Sequence, residues 1–229
     1  MNLILTCEHA SNRVPVSYQA CFLGVQDTLA SHRGWDPGSA QMAKCFRRLI
    51  KPRPPLFQTN TTRLLVEPNR SLGHPKLFSE FTRELSSNDK QAILKKFYFP
   101  HRNAVHDWIA SHVSSDSPVL HLSIHSFTPE FQGEVRNSDI GLLYDPGRPL
   151  EKAYCRKWST AIAQARPDLK VRKNYPYRGI ADGFTTWLRK QFLPDQYLGI
   201  ELEVNQAHLD STRTWQLIST VLAKTLPAS

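Results

Sequence analysis

Six short apolar runs divide the 229-residue chain, and segments with helical periodicity separate them. This alternation is typical of α/β proteins and predicts a three-layer α/β/α sandwich on a mixed, mostly parallel sheet. We expect a single domain over residues 1–229. The predicted strands are Leu3–Thr6, Leu56–Asn60, Val119–Ile124, Ile140–Tyr144, Leu169–Arg172 and Leu198–Val204. The predicted helices are Asp36–Leu49, a pattern opened by Ser87-Asn88-Asp89 that Pro100 kinks or breaks, Pro149–Arg166 and Asp210–Leu226.

Segments rich in Pro, Gly and Asn follow several of these strands. In open α/β sheets, ligands bind outside the carboxyl ends of the strands, so these loops are where we expect the chemistry. The four loops are His32–Ser39, Pro68–Pro75, Pro129–Ser138 and Asn174–Gly183.

The positive charge of the chain is dispersed. The net charge of +9 comes from Lys and Arg residues that form no basic run, so we expect no nucleic-acid partner. Dispersed charge suits a positive cleft that collects a small anionic substrate. The first strand follows Met1 directly, with no signal or membrane segment, so we expect a cytoplasmic protein without a membrane partner. The oligomeric state stays open.

The four cysteines do not predict a zinc site. They include no CxxC pair and lack the dense spacing of a disulfide framework, so we interpret them as reduced thiols. They are Cys7, Cys21, Cys45 and Cys155.

Two histidines lie at the ends of predicted strands, His9 after the first and His125 after the third. Carboxyl ends of parallel strands meet at one edge of a sheet, and a hydrolytic zinc site often has two His ligands and one carboxylate. Asp36 is our first candidate for that carboxylate, with Glu8 as the alternative. Each residue also has a structural interpretation: the histidines as hydrogen-bonded core residues, Asp36 as a helix cap, and Glu8 as the partner of an arginine.

The last predicted strand places Glu201 and Glu203 on the same face, because side chains alternate with a period of two. A buried carboxylate can take a proton from an attacking water and return it to a leaving amine, so both are candidate catalytic residues. A salt bridge to an arginine is the alternative for Glu201.

Arginines in two loops are candidate receptors for the carboxylates of a substrate. Guanidinium groups bind carboxylates with two parallel hydrogen bonds, which suits Arg63 and Arg70, and surface solvation is their alternative. Arg178 lies in a glycine-containing loop that is either an ordinary turn or a segment able to close over a ligand. Asn69 and Ser126 complete the candidate substrate contacts.

These segments together resemble the N-formylglutamate amidohydrolase family. The family pattern is an early His followed by Pro, an Arg with an Asn-Arg turn, an Ile-His-Ser segment and a late Glu-hydrophobic-Asn strand. It matches His9 to Pro15, Arg63 with Asn69-Arg70, Ile124-His125-Ser126 and Glu203-Val204-Asn205. The resemblance extends from Thr6 to Asn205.

The resemblance implies a zinc-peptidase-like fold of the phosphorylase/hydrolase-like type and a metal-dependent hydrolase that releases formate from an N-acyl amino acid such as N-formylglutamate. It further implies that His9 and His125 bind Zn²⁺, or another divalent metal, and that Glu203 is the base. Zinc carboxypeptidases use a His-x-x-Glu motif, but here Asn12 is the third residue after His9, so the carboxylate ligand must come from elsewhere. Two rivals remain: a peptidase or muramoyl-alanine-type amidase using the same site, and a non-catalytic binding protein for an acidic ligand.

Overall fold

A six-stranded mixed sheet forms the centre of the computed structural model, which describes residues 1–113 and 117–227. Its strands are β1 (Asn2–Cys7), β2 (Leu56–Gln58), β3 (Val119–Phe127), β6 (Ile140–Leu143), β7 (Val171–Lys173) and β8 (Tyr197–Asn205), and a separate hairpin comprises β4 (Glu130–Phe131) and β5 (Glu134–Val135). The strand order is β2-β1-β3-β8-β6-β7. The first four strands of that order are parallel, whereas β6 runs antiparallel to β8. The carboxyl ends of β1, β3 and β8 therefore meet at one edge.

Helices cover both faces of the sheet. They are α1 (Gln26–Ala30), α2 (Ser39–Leu49), α3 (Ser87–Ile93), α4 (Phe99–His112), α5 (Pro149–Ala165), α6 (Phe184–Arg189) and α7 (Thr212–Lys224). Helices α2, α5 and α7 pack on one face, and α4 and α6 pack on the other. This confirms the predicted three-layer α/β/α sandwich. Among the described residues, no helix combines the length and apolar character needed to cross a membrane.

The two faces of the sheet differ in chemistry. The face under α2, α5 and α7 is apolar, with residues such as Leu5, Leu122 and Ile200 fully buried. Because side chains alternate, the opposite face receives the intervening residues, and many of these are polar. They are Thr6, Glu8, His121, Ser123, His125, Glu201 and Glu203. Buried polar groups need partners, so this face holds the hydrogen-bond network described below.

All six predicted strands form, with shifted ends. Strand β3 continues three residues beyond Ile124, so His125 lies within the strand and not after it. The predicted helix start at Asp36 was wrong. Gly38 adopts φ +82°, which is not helical, and α2 begins at the next residue, Ser39. A side chain at Gly38 would also come within 2.5 Å of the Trp215 ring. Glycine is therefore required there both by its backbone conformation and by space.

The helical region around Pro100 is continuous. A π-helical turn, Leu94–Tyr98, joins α3 to α4, and Pro100 occupies the first turn of α4. A proline is tolerated there because the N–H groups of a first helical turn have no partner within the helix. The elements that the sequence did not predict are short: α1, α6, the β4–β5 hairpin and two 3₁₀ helices, Val16–Phe22 and Gln206–Asp210.

Candidate active site

A cleft of about 370 Å³ opens at the edge where β1, β3 and β8 end. Every site residue predicted from the sequence lines it except Glu8. These residues are His9, Asp36, Arg63, Asn69, Arg70, His125, Ser126, Arg178, Glu201 and Glu203. The strand-end rule therefore located the cleft, although its residues come from segments far apart in the chain.

The innermost part of the cleft is a buried cluster of His9, Asp36 and His125. The Nδ1 atoms of the two histidines lie 3.1 Å apart, and Oδ2 of Asp36 lies 3.1 Å from the first and 2.9 Å from the second. Tetrahedral ligands at about 2.0–2.1 Å from a zinc ion are separated by about 3.3 Å, which is close to these distances. Backbone contacts fix Asp36, whose N–H donates to the carbonyl of His9 at 3.0 Å.

The outward nitrogen of each histidine is held by an acidic group. Nε2 of His9 donates to Oε1 of Glu67 at 2.6 Å. Nε2 of His125 lies 2.8 Å from Oγ of Ser123, whose hydroxyl donates to Glu8 at 2.6 Å, and Glu8 itself is 3.3 Å from His125. A protonated Nε2 leaves the lone pair of Nδ1 free, and metal-binding histidines are commonly held in this way. The cluster therefore fits a divalent cation.

Glu8 is fully buried behind His125 and lies outside the cluster of potential ligand atoms. Burial would raise the pKa of its carboxyl, but hydrogen bonds from His101 and His125 hold that pKa well below its usual range. The structure thus assigns Glu8 a place beside a histidine, and Asp36 is the carboxylate that faces both imidazoles.

Glu67, which holds Nε2 of His9, is one of the residues around the cluster that the sequence patterns did not single out. Burial would raise the pKa of its carboxyl, but Arg63 and His9 keep it ionised and lower the pKa. Asp36 behaves in the same way: His9, His125 and Arg63 outweigh burial and hold its pKa below the usual range. The i, i+4 spacing of Arg63 and Glu67 was a weak signal, because such a pair usually lies on a surface.

Arg63 already has carboxylate partners within the protein. Its Nε donates to Glu67 at 2.7 Å and its Nη1 donates to Asp36 at 3.1 Å. Burial lowers the pKa of the guanidinium, but these two carboxylates raise it above its usual value. Arg63 therefore neutralises two acidic groups around His9, so its capacity for a substrate carboxylate is largely used.

Glu203 faces the cleft from β8 and differs from the other acids. Its Oε2 is buried and has no hydrogen-bond partner in the described part of the chain. Burial is the main cause that raises the pKa of this carboxyl to about 8. Glu201, two residues earlier, accepts a hydrogen bond from Thr185 and forms no salt bridge with an arginine among the residues described. An unpartnered, basic carboxylate beside His125 is suited to proton transfer.

The remaining predicted contacts fall into two groups. Asn69, Arg70 and Ser126 bind within the protein: Oδ1 of Asn69 accepts from the N–H of Phe184, Arg70 donates to the carbonyl of Asp182, and Ser126 donates to that of Pro37. The second group is Arg178, and Lys76, which the sequence patterns did not single out, lines the same cleft. Neither forms an ion pair with another described residue.

The loop that contains Arg178 is firmly packed. Oδ1 of Asn174 accepts from the N–H groups of Tyr144 and Gly179, and a side chain at Gly179 would come within 2.2 Å of Tyr144. Arg189 donates to the carbonyl of Gly179 as well. These contacts fix the backbone next to Arg178, which indicates an ordered wall of the cleft.

Comparison with known proteins gives the family. The sequence matches the N-formylglutamate amidohydrolase family over residues 1–209. A gene product from Agrobacterium tumefaciens is 27% identical, with a TM-score of 0.79 over 98% of this chain and 88% of that one. An N-formylglutamate amidohydrolase from Ralstonia eutropha JMP134 is 14% identical, with a TM-score of 0.68 over 99% of this chain and 94% of the other. No curated protein matched the sequence.

The protein is an α/β sandwich with a cleft of acids and imidazoles at the carboxyl edge of its sheet, and its family match places it among the amidohydrolases. The chain belongs to the N-formylglutamate amidohydrolase family, as the match over residues 1–209 establishes.

Proposed function

We propose that the protein is a metal-dependent hydrolase that cleaves the amide bond of an N-acyl amino acid, with N-formylglutamate as the first substrate to test. The observation that supports it best is the convergence of His9, Asp36 and His125, with an acidic group behind each imidazole. Such support would be costly to build without a cation, because it brings several buried charged groups together.

His9, Asp36 and His125 would hold the metal, and Zn²⁺ suits two imidazoles and one carboxylate. A bound Zn²⁺ would supply Lewis-acid polarisation of the carbonyl oxygen of the substrate. Glu67 and Glu8 keep the two imidazoles in the orientation that points both Nδ1 atoms inward.

Glu203 acts as general base and then as general acid. It accepts a proton from the attacking water while the oxygen of that water bonds to the amide carbon. It then returns the proton to the amide nitrogen as the C–N bond breaks, which releases the carboxylic acid and the amino acid. A pKa near neutrality serves both steps, and burial raises that of Glu203 towards this range.

The anionic part of the substrate binds to Arg178 and Lys76, because both line the cleft without an ion pair to another described residue. Arg70 contributes positive charge nearby, while one of its Nη atoms is already bonded to two backbone carbonyls. A dicarboxylate such as N-formylglutamate complements two separate cations.

The test is hydrolysis of a panel of N-acyl amino acids by Zn²⁺-loaded protein, comparing wild type with Glu203→Gln. We expect release of free amino acid from N-formyl-L-glutamate, and a loss of at least about 100-fold in kcat for the variant. Glu201→Gln is the matched control, with a smaller loss expected because Thr185 already occupies one of its oxygens. Equal rates for wild type and Glu203→Gln would remove Glu203 from the mechanism.

Other outcomes of the same panel separate the rival functions. Cleavage of short peptides or of muramoyl-alanine amides, with no cleavage of N-acyl amino acids, would indicate a peptidase or cell-wall amidase. Binding of N-formyl-L-glutamate without turnover by the metal-loaded protein would indicate a binding protein.

A further inference from the structure

Arg102, in the first turns of α4, is a buried cation without a carboxylate partner. It is 3% exposed, and in the described part of the chain no acidic side chain forms an ion pair with it. Three aromatic rings surround its guanidinium instead. Its Cζ lies 4.9, 4.4 and 4.7 Å from the ring centroids of Tyr98, Phe184 and Trp187. We call these three rings the aromatic cage.

A second buried arginine shows the more usual arrangement. Arg189 is 8% exposed and donates to Glu151 at 3.0 Å. Burying a charge is costly, and cation–π contacts offset that cost only in part. A third buried arginine, Arg148, also has no carboxylate partner among the described residues, but it donates to three backbone carbonyls. Arg102 has fewer hydrogen bonds than either, so the position of the one it forms is informative.

A hydrogen bond joins Arg102 to the turn that contains Glu67. Its Nη1 donates to the carbonyl of Pro68 at 3.0 Å, and Pro68 directly follows Glu67. Glu67 is the carboxylate that holds Nε2 of His9.

A second connection runs through the cage. The N–H of Phe184 donates to Oδ1 of Asn69 at 2.6 Å, and the N–H of Asn69 donates to Oε1 of Glu67 at 3.0 Å. That oxygen is the one bonded to His9. Arg102 thus contacts Pro68 directly, and it is linked to Asn69 through Phe184, whose ring it packs against and whose N–H binds Asn69.

Neighbouring residues of the same helical region support this site as well. The hydroxyl of Tyr98 donates to the carbonyl of Arg70 at 2.8 Å, which fixes the far end of the same turn. His101 contacts Glu8, the acid behind His125, at 3.4 Å. The π-helical turn that precedes α4 ends at Tyr98, and such turns are frequent at functional sites.

We propose that Arg102 is a positioning residue, which holds the Glu67 turn in place and thereby orients His9 for metal binding. The inference rests on the proposed function, because it assumes that His9 is a metal ligand. A planar guanidinium suits the task, since it stacks among three rings while its N–H groups donate in a fixed direction.

The test measures Zn²⁺ affinity and stability together in Arg102→Met, which keeps the length and apolar stem of the side chain. We expect a thermal midpoint close to that of wild type, because removing a buried charge offsets the loss of the cation–π contacts and of the hydrogen bond to the Pro68 carbonyl. We expect the Zn²⁺ dissociation constant, measured by competition with a chromophoric chelator, to rise about tenfold, as for loss of support behind a metal ligand. Arg102→Lys keeps a cation in the aromatic cage, so we expect its Zn²⁺ dissociation constant to rise only about threefold.

A double-variant cycle with Glu67→Gln distinguishes positioning from general structural support. If Arg102 acts through Glu67, adding Arg102→Met to Glu67→Gln should weaken Zn²⁺ binding by less than twofold more. Full additivity would overturn the proposal, as would wild-type affinity in Arg102→Met. If Arg102→Met does not fold, Arg102→Lys decides: weakened binding supports the proposal and wild-type binding overturns it. Wild type that binds no Zn²⁺ would instead overturn the proposed function.

Discussion

The raised pKa of Glu203 makes the stability of the metal-free protein depend on pH in a way that Glu203→Gln should remove. Burial raises the pKa of this carboxyl from 4.5 to about 8 in the folded chain. Between these values the folded chain retains a proton that the unfolded chain has lost. The free energy of unfolding contributed by Glu203 therefore decreases as pH rises through this window, and the decrease is complete above pH 8.

The size of this effect follows from the same pKa values. Each pKa unit corresponds to about 1.4 kcal/mol, so the interval from 4.5 to about 8 amounts to on the order of 5 kcal/mol. At low pH, Gln and protonated Glu are similar in shape and charge, so wild type and variant should have similar stability. Above pH 8 the variant should be more stable by roughly that amount.

Urea unfolding of both proteins in the presence of a chelator, from pH 5 to pH 9, measures this difference. Because both proteins share every other titrating group, subtracting the two curves isolates Glu203. Saturating Zn²⁺ should narrow the gap, since a nearby cation favours the ionised carboxylate. A difference that stays constant across the whole pH range would refute the reasoning.

Three further predictions concern the support of the metal ligands, the substrate receptor and the loop beside it. Glu67→Gln should raise the Zn²⁺ dissociation constant by about 10- to 100-fold in a chelator competition, whereas Glu80→Gln, at an exposed position, should leave it unchanged. Equal dissociation constants for Glu67→Gln and wild type would contradict the role of Glu67. Arg178→Met should raise the KM for N-formyl-L-glutamate about tenfold with little change in kcat, so an unchanged KM in steady-state kinetics would exclude Arg178 as a receptor. Gly179→Ala should lower the free energy of unfolding by about 2–3 kcal/mol in urea, because its Cβ would lie 2.2 Å from Tyr144, and wild-type stability would contradict this packing.

Most of the fold followed from local sequence patterns. Strands such as β3 and β8 carry apolar residues at every second position, and these short apolar-rich segments were sufficient to place them. The start of α2 was misplaced because Gly38 has a left-handed backbone conformation and packs against Trp215, which is far away in the sequence. The short α6 and the β4–β5 hairpin have too few residues to show a period.

The residues of the candidate site also fall into those that local sequence patterns predict and those that depend on distant contacts. His9, His125 and Glu203 could be selected because strand ends converge in a parallel sheet, and the structure places all three in one cleft. Glu67, Glu8 as a partner of His125, and Arg102 could not be assigned these places from sequence, since each depends on a contact between distant segments. The cation of Arg102 resembles any helical arginine until Phe184 and Trp187 are seen to surround it.

The central claim is that His9, Asp36 and His125 together hold a divalent metal. Calorimetric titration of the metal-free protein with Zn²⁺ tests it most directly, with Asp36→Ala measured alongside. The account predicts one tight site per chain in wild type and its loss in the variant. No Zn²⁺ binding by the wild-type protein, or equal binding by Asp36→Ala, would contradict it.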